Sequence, residues 1–276
     1  MRNLLSIMVV MIMNNMWLVC KLEFRNRKKT IFVWSMLIAV IMFIYMALFK
    51  EFKGALVAEM EVMPPEVLEL FNMSKEIDYT KFNNYFSMVS QIILIVMCAF
   101  SAYMGSLLLA DEQSNKTIEY LNANPVNRKE IILGKALTHL IMIAIVYFIG
   151  FFSGIFAGII RVASEIDFIE LLVSSFVSFV AVIFYGVVGM LLSVLKKDGR
   201  SQGISLGICF GTYIVAYLST LNISLLKWCK WLSPMNFLDQ LTYVSNKFNV
   251  MSLIAVLFIA VLMIYLANII YKKKDL

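Results

Sequence analysis

The sequence predicts an all-α polytopic membrane protein with six transmembrane helices, and three observations predict it. Hydrophobic residues make up 61% of the 276 and charged residues only 15%, with a mean hydropathy of +0.84. A soluble domain is nearer half apolar and a quarter charged, so this chain has too few polar groups to cover a water-exposed globule. The apolar residues also fall in long uninterrupted runs, whereas the strands of an outer-membrane barrel alternate. Finally, the charged residues keep strictly outside those runs.

Crossing the hydrocarbon takes about 20 apolar residues, and six segments supply them: 31–49, 86–110, 137–160, 171–195, 203–221 and 251–271. None of the 24 Lys and Arg or 18 Asp and Glu lies inside any of them. The chain thus divides into an N-terminal segment over 1–30 and a six-helix transmembrane domain over 31–276. Residues 1–30 open with ten apolar residues, Leu4–Met13, after Arg2. That stretch resembles the apolar part of a signal peptide but is too short to span and lacks a small-residue cleavage site. Two readings are open. The whole segment is an interfacial elbow helix, or translation starts at Met13 or Met16. In the second case Trp17 to Thr30 is a short amphipathic helix, with Arg25–Lys29 at the headgroups.

Between the first two spans, Met63 to Phe71 reads as a short amphipathic helix starting at Pro64 and Pro65, in a loop whose net charge is −3 over residues 50–85. Orientation follows from the basic loops. With the N-terminus in the cytoplasm, 16 of the 24 basic residues and 7 of the 18 acids lie inside, against 8 and 11 outside. Both termini are therefore expected in the cytoplasm, with the chain in the cytoplasmic (inner) membrane. The net charge of +6 is then topology determination, and nucleic acid is not expected as a partner.

Much chemistry is missing. The only histidine, His139, at the cytoplasmic end of the third span, reads as an interface residue rather than a catalyst. Metal-dependent hydrolysis needs several converging ligands, and no span holds an Asp, Glu, Lys or Arg. No GxxxxGK[ST] phosphate loop occurs, so the chain carries no ATPase site and is not expected to be an enzyme. Cys20, Cys98, Cys209 and Cys229 form no CxxC pair and imply no disulfide framework. Ion-coupled carriers usually place ionisable groups at mid-membrane. A transporter built from this chain must borrow its energy.

The loop between the second and third spans, Asp111 to Lys135, contains two short helical stretches. Ser114 or Thr117 can cap the first, and Pro125 suits the first turn of the second. A solvated connector would not need Ile118, Tyr120, Leu121 and Ile131 to be apolar. Its residues Glu112, Thr117, Glu119, Leu121, Pro125, Val126, Arg128, Gly134 and Lys135 resemble the corresponding loop of type-2 ATP-binding-cassette (ABC) transporter permeases. There an acidic residue precedes Gly-Thr-Leu-Glu, a Leu-rich stretch, Pro-Val-x-Arg and Gly-Lys; Lys116 stands here where that pattern has Gly.

The resemblance implies that these nine residues form a coupling helix docking on a separate cytoplasmic ABC ATPase subunit. The chain itself then binds no cofactor, and ATP and Mg belong to that subunit. It also implies a second permease subunit, identical or diverged, and export as the direction. Ser233 and Pro234, among Trp228, Trp231 and Phe237, are similar to the outer re-entrant hairpin these permeases place between spans five and six. A transport path lined by Ser35, Ser101, Ser205, Thr212 and Tyr213 would suit a hydrophobic or amphipathic compound or peptide.

Two glycine ladders complete the reading: Gly150, Gly154 and Gly158 in span three, and Gly203, Gly207 and Gly211 in span five. Small residues at this spacing let helices approach closely in lipid. Packing within one subunit is the default, while the span-five ladder could let that helix slide against a neighbour during gating. The alternative function is a non-transporting assembly protein that recruits a cytoplasmic partner through the 111–135 loop.

Overall fold

The computed structural model describes residues 2–64, 67, 68, 73, 77–114, 128–195, 201–218, 229 and 231–273. Its helices are α1 (Arg2–Ala47), α2 (Phe49–Val62), α3 (Phe82–Ser114), α4 (Arg128–Val162), α5 (Phe168–Leu195), α6 (Ser201–Leu218), α7 (Gln240–Val244) and α8 (Val250–Lys273), and the described residues contain no strand. Among the described residues, five stretches are long and apolar enough to cross a membrane: Met16–Ala47, Phe82–Leu108, Glu130–Glu165, Phe168–Leu195 and Val250–Lys272. The expected fifth span, 203–221, corresponds to the shorter α6, and residues 219–221 lie outside the described residues.

The chain runs back and forth between two ends. One collects residues 16–30, 108–114 and 128–135 and is called the basic end; the other collects α2, the 163–167 turn and α7 and is called the acidic end. The expected separate elbow helix over 1–30 is not a separate element, because α1 runs unbroken from Arg2 to Ala47. No Gly or Pro interrupts that stretch, so no residue in it favours a break. A second difference is α2, read from the sequence as loop because Lys50, Glu51, Lys53, Glu59 and Glu61 break up its apolar residues. It ends at Met63, whose φ of −66° and ψ of 137° are the extended values imposed on a residue before proline. Of the amphipathic helix expected over 63–71, only Val67 and Leu68 are described as helical.

Caps govern the helix starts at the acidic end. Asp167 precedes α5 and accepts a hydrogen bond from the Glu170 amide at 3.1 Å, while Asn249 accepts from the Met251 amide at 2.9 Å at the start of α8. Each satisfies an amide that the first turn leaves unpaired.

Packing falls into two close pairs, α1 with α4 and α3 with α5, with α8 laid on α5 and α6 on α3. On α1 the buried residues Ile31, Ser35, Ile38, Met42 and Met46 lie on one helical stripe, and Phe32, Met36, Val40 and Phe43 are exposed on the other side. Both faces are apolar, which is the pattern of a helix between protein and lipid.

The glycines explain how closely the pairs approach. A Cβ on Gly150 would stand 2.4 Å from Ile38 Cγ2, and one on Gly158 would stand 2.3 Å from the Phe82 ring. Gly154 makes similar room for Phe86 and Met42, so the span-three ladder packs inside the chain. Phe82 and Phe86, seated over it, belong to an aromatic run with Phe49 and Phe151 at centroid separations of 5.4–6.0 Å. Tighter still is the crossing of α3 and α5, where a Cβ on Gly105 would lie 2.1 Å from the Gly186 carbonyl oxygen and one on Gly189 2.1 Å from that of Ala102. Gly203, Gly207 and Gly211 are the reverse case: among the described residues, no atom outside their own stretch of helix backbone comes within 4 Å of an added Cβ.

These two glycine environments predict opposite mutational outcomes. Gly105→Ala should destabilise the isolated chain by about 1–3 kcal/mol, because the methyl meets backbone that cannot retreat. Gly207→Ala should be neutral or slightly stabilising. Thermal unfolding of both variants in one detergent checks the contrast.

Candidate functional site

The candidate coupling segment stands between the basic ends of α3 and α4. Thr117, Glu119, Leu121, Pro125 and Val126 lie outside the described residues. The backbone places Glu112 in the last turns of α3 and Arg128 at the first residue of α4. Gly134 and Lys135 are fully placed, and they face inward.

Lys135 is completely buried. Its Nζ donates to Glu23 Oε1 at 2.7 Å and to the Leu108 carbonyl oxygen, so one ammonium joins α4, α1 and α3. Arg27 adds a second layer, with Nε donating to Glu23 Oε2 at 3.3 Å and a terminal nitrogen donating to the Leu107 carbonyl oxygen at 3.3 Å. Glu23 therefore bridges two cations, and both cations also reach carbonyls of α3. Gly134 permits this approach: a Cβ there would stand 3.1 Å from the Met16 carbonyl oxygen and 3.1 Å from Val19 Cβ. These two residues clasp the helices that frame the loop, and neither offers a surface to a partner. A buried charge is tolerated only when paired on site.

No sequence motif marks Glu23 and Arg27 as part of a site. The available signal was that Glu23 is the only acid in the first 50 residues and sits four residues before Arg27, the spacing of neighbours on a helix face.

Toward the membrane interior, His139 is buried between α3, α4 and α5 and is not an interface residue. Ser101 Oγ donates to the Val182 carbonyl oxygen at 2.7 Å and lies 3.1 Å from His139 Nε2. Since the single Ser101 proton is spent on Val182, His139 Nε2 carries the hydrogen in this contact. Gly186 makes room for the ring, as its Cβ would come within 2.0 Å of Nε2.

Ser35, Ser101 and Ser205, expected to line a transport path, are buried within the chain. Ser101 is spent on Val182, and Ser205 Oγ donates to the Gln202 carbonyl oxygen at 2.9 Å. Thr212 and Tyr213 are only half-buried on α6.

Nearer the acidic end, two tyrosines fasten the segment that follows α6. Tyr185 OH lies 2.9 Å from Thr212 Oγ1 and 3.1 Å from Ser233 Oγ. Tyr147 OH donates to the Ser175 carbonyl oxygen at 3.2 Å and accepts from Gln240 Nε2 at 3.3 Å. The described part of the expected re-entrant hairpin is a short turn over Pro234–Asn236 followed by α7. Its residues Ser233 to Met235 and Leu238 to Leu241 are buried against the bundle. Asp239 caps α7, accepting from the Thr242 amide at 2.7 Å and from Thr242 Oγ1 at 2.8 Å. Burial pushes the Asp239 carboxyl up to about 6, against the lowering effect of those donors. Among the described residues no three His, Cys, Asp or Glu side chains converge as a metal site.

Two predictions follow from these geometries. Lys135→Ala should destabilise the chain by roughly 2–5 kcal/mol, the cost of emptying a buried side-chain site, while Arg27 still pairs with Glu23. Lys135→Met, which refills the volume and leaves the Glu23–Arg27 pair intact, should recover part of that loss; thermal unfolding of the three proteins checks it. Asp239 binds its proton more tightly folded than unfolded, so α7 should dock more firmly as pH falls from 7 to 5. Hydrogen exchange over residues 240–244, corrected for the intrinsic rate, should show added protection at pH 5, and Asp239→Asn should abolish the difference.

A family model described as ABC-2 family transporter protein matches residues 17–276, which takes in α1 from Trp17 and every later helix. A search of curated proteins finds no match. The bundle of apolar helices is that of a multi-pass membrane protein, and the chain belongs to the ABC-2 transporter family, as a membrane permease of an ABC transporter.

Proposed function

We propose that this permease exports a hydrophobic or amphipathic compound or peptide, driven by ATP hydrolysis on separate ATPase subunits bound at its basic end. The carrying observation is the buried Lys135–Glu23–Arg27 clasp, which joins the roots of the 115–127 segment to α1. A loop meant to transmit force needs such roots, since a push on a loose connector is lost in its own bending. The basic end faces the cytoplasm in this reading, in keeping with the excess of Lys and Arg there.

The second permease subunit packs along α6. Among the described residues, Gly203, Gly207 and Gly211 have no packing neighbour, and Ile204, Ile208 and Ile214 are exposed beside them. Small residues framed by branched ones suit close helix contact in lipid. The cargo class rests on the described residues of α6, whose exposed surface is apolar, and on the spans holding no Asp, Glu, Lys or Arg.

Purification of the tagged chain from its native host in gentle detergent, followed by mass spectrometry, should recover a stoichiometric ATP-binding subunit. Glu119→Ala and Arg128→Ala, each about equally folded, should both lose that subunit by at least several-fold. Retention in both variants would remove the docking role from this loop.

A further inference from the structure

Where α1, α3, α4 and α7 meet, the interior contains a cavity of about 20 Å³ bordered by Ser90, Tyr147, Gln240, Met42 and Met97. Ser90 is 7% exposed and Gln240 3%, and the side-chain oxygen of each is buried. The hydrogen bonds around Gln240 are almost fully allocated. Its Nε2 donates to Ser175 Oγ at 2.9 Å and to Tyr147 OH at 3.3 Å, which uses both amide protons. Tyr147 has already given its own proton to the Ser175 carbonyl oxygen. Two polar atoms at this cavity are left over: Gln240 Oε1 and Ser90 Oγ, each buried with no hydrogen-bond partner.

Two unsatisfied polar atoms in one small cavity are costly, at about 1–3 kcal/mol each. The space exceeds the roughly 10–15 Å³ that one water needs, and it offers the polar contacts that dry cavities lack. We propose that this cavity holds one buried water molecule that ties Ser90 of α3 to Gln240 of α7. The water donates to Gln240 Oε1, accepts from or donates to Ser90 Oγ, and has the second lone pair of the Tyr147 oxygen for a third contact. If the Gln240 amide is turned the other way, its NH₂ replaces the oxygen, and a water accepts instead of donating. A bare ion is excluded, since no charged group lines the cavity and an unpaired charge there would carry a far larger desolvation penalty. The water thus serves as a structural ligand, fastening the segment after α6 to α3 as Tyr147 and Ser175 fasten it to α4 and α5.

The test uses the intact transporter in lipid nanodiscs. A cryo-electron microscopy map that resolves ordered waters should show one peak within hydrogen-bond distance of both Ser90 Oγ and the Gln240 amide. Brief X-ray irradiation in ¹⁸O-labelled water should also label the buried Tyr147, Met42 and Met97 side chains, because a bound water generates hydroxyl radical beside them. Ser90→Val, which replaces the hydroxyl with methyl groups and narrows the space, should abolish that labelling. An empty cavity in a map showing waters elsewhere, or labelling undiminished in Ser90→Val, would overturn the proposal. The wild-type map decides the matter even if the variant fails to fold.

Discussion

An ammonium group removed from water must find its counter-charge where it stands, and the basic end of this protein is organised around that demand. Lys135 is the last cation before the apolar body of α4, and it is fully buried. Its partners come from two other helices, Glu23 on α1 and the Leu108 carbonyl on α3. The position of any one of the three helices is therefore tied to the other two through a single nitrogen. Hydrophobic burial cannot supply this constraint, since lipid is as apolar as the side chains it would replace. Between membrane helices, specificity falls to polar contacts and close fit.

Close fit is the second half of the same argument. At the α3–α5 crossing, backbone meets backbone because Gly105, Gly186 and Gly189 have no side chains. That proximity puts Ser101 within reach of the Val182 carbonyl and allows His139 to lie over Gly186. The glycines and the polar contacts are not separate features. At this crossing the Ser101 bond to Val182 exists because Gly186 lacks a Cβ, which would stand 2.5 Å from the Ser101 hydroxyl oxygen.

Much of the fold was legible in the sequence, for a physical reason. Length and apolarity are local properties, so the spans over 86–110, 137–160, 171–195 and 251–271 lie within α3, α4, α5 and α8. Partners are not local. Two glycine ladders of identical spacing look alike in the sequence, yet Gly150, Gly154 and Gly158 seat the side chains of α1 and α3 while Gly203, Gly207 and Gly211 meet none of the other described residues. Gly134 and Lys135 could be recognised as part of a motif, but not as its buried root, because their partners Met16, Val19 and Glu23 are more than a hundred residues away. The run Arg25–Lys29 reads as a headgroup anchor for the same reason: nothing in it marks Arg27 as the residue that turns inward to Leu107. Five of the nine loop residues lie outside the described residues, so their reading still rests on the motif.

The unbroken course of α1 has a mechanical consequence. Near one end it is pinned to α4 through Glu23 and Lys135, and near the other Arg161 Nε of α4 donates to the Ala47 carbonyl oxygen at 2.8 Å. The 24 steps from Glu23 to Ala47 span about 36 Å at 1.5 Å per residue. Two stiff bars bolted together at both ends cannot slide along each other; they can only tilt or flex as one beam. Relative motion in a working cycle is thereby pushed onto the seams without such bolts, and a force entering at the basic end emerges at the acidic end with little lost in between.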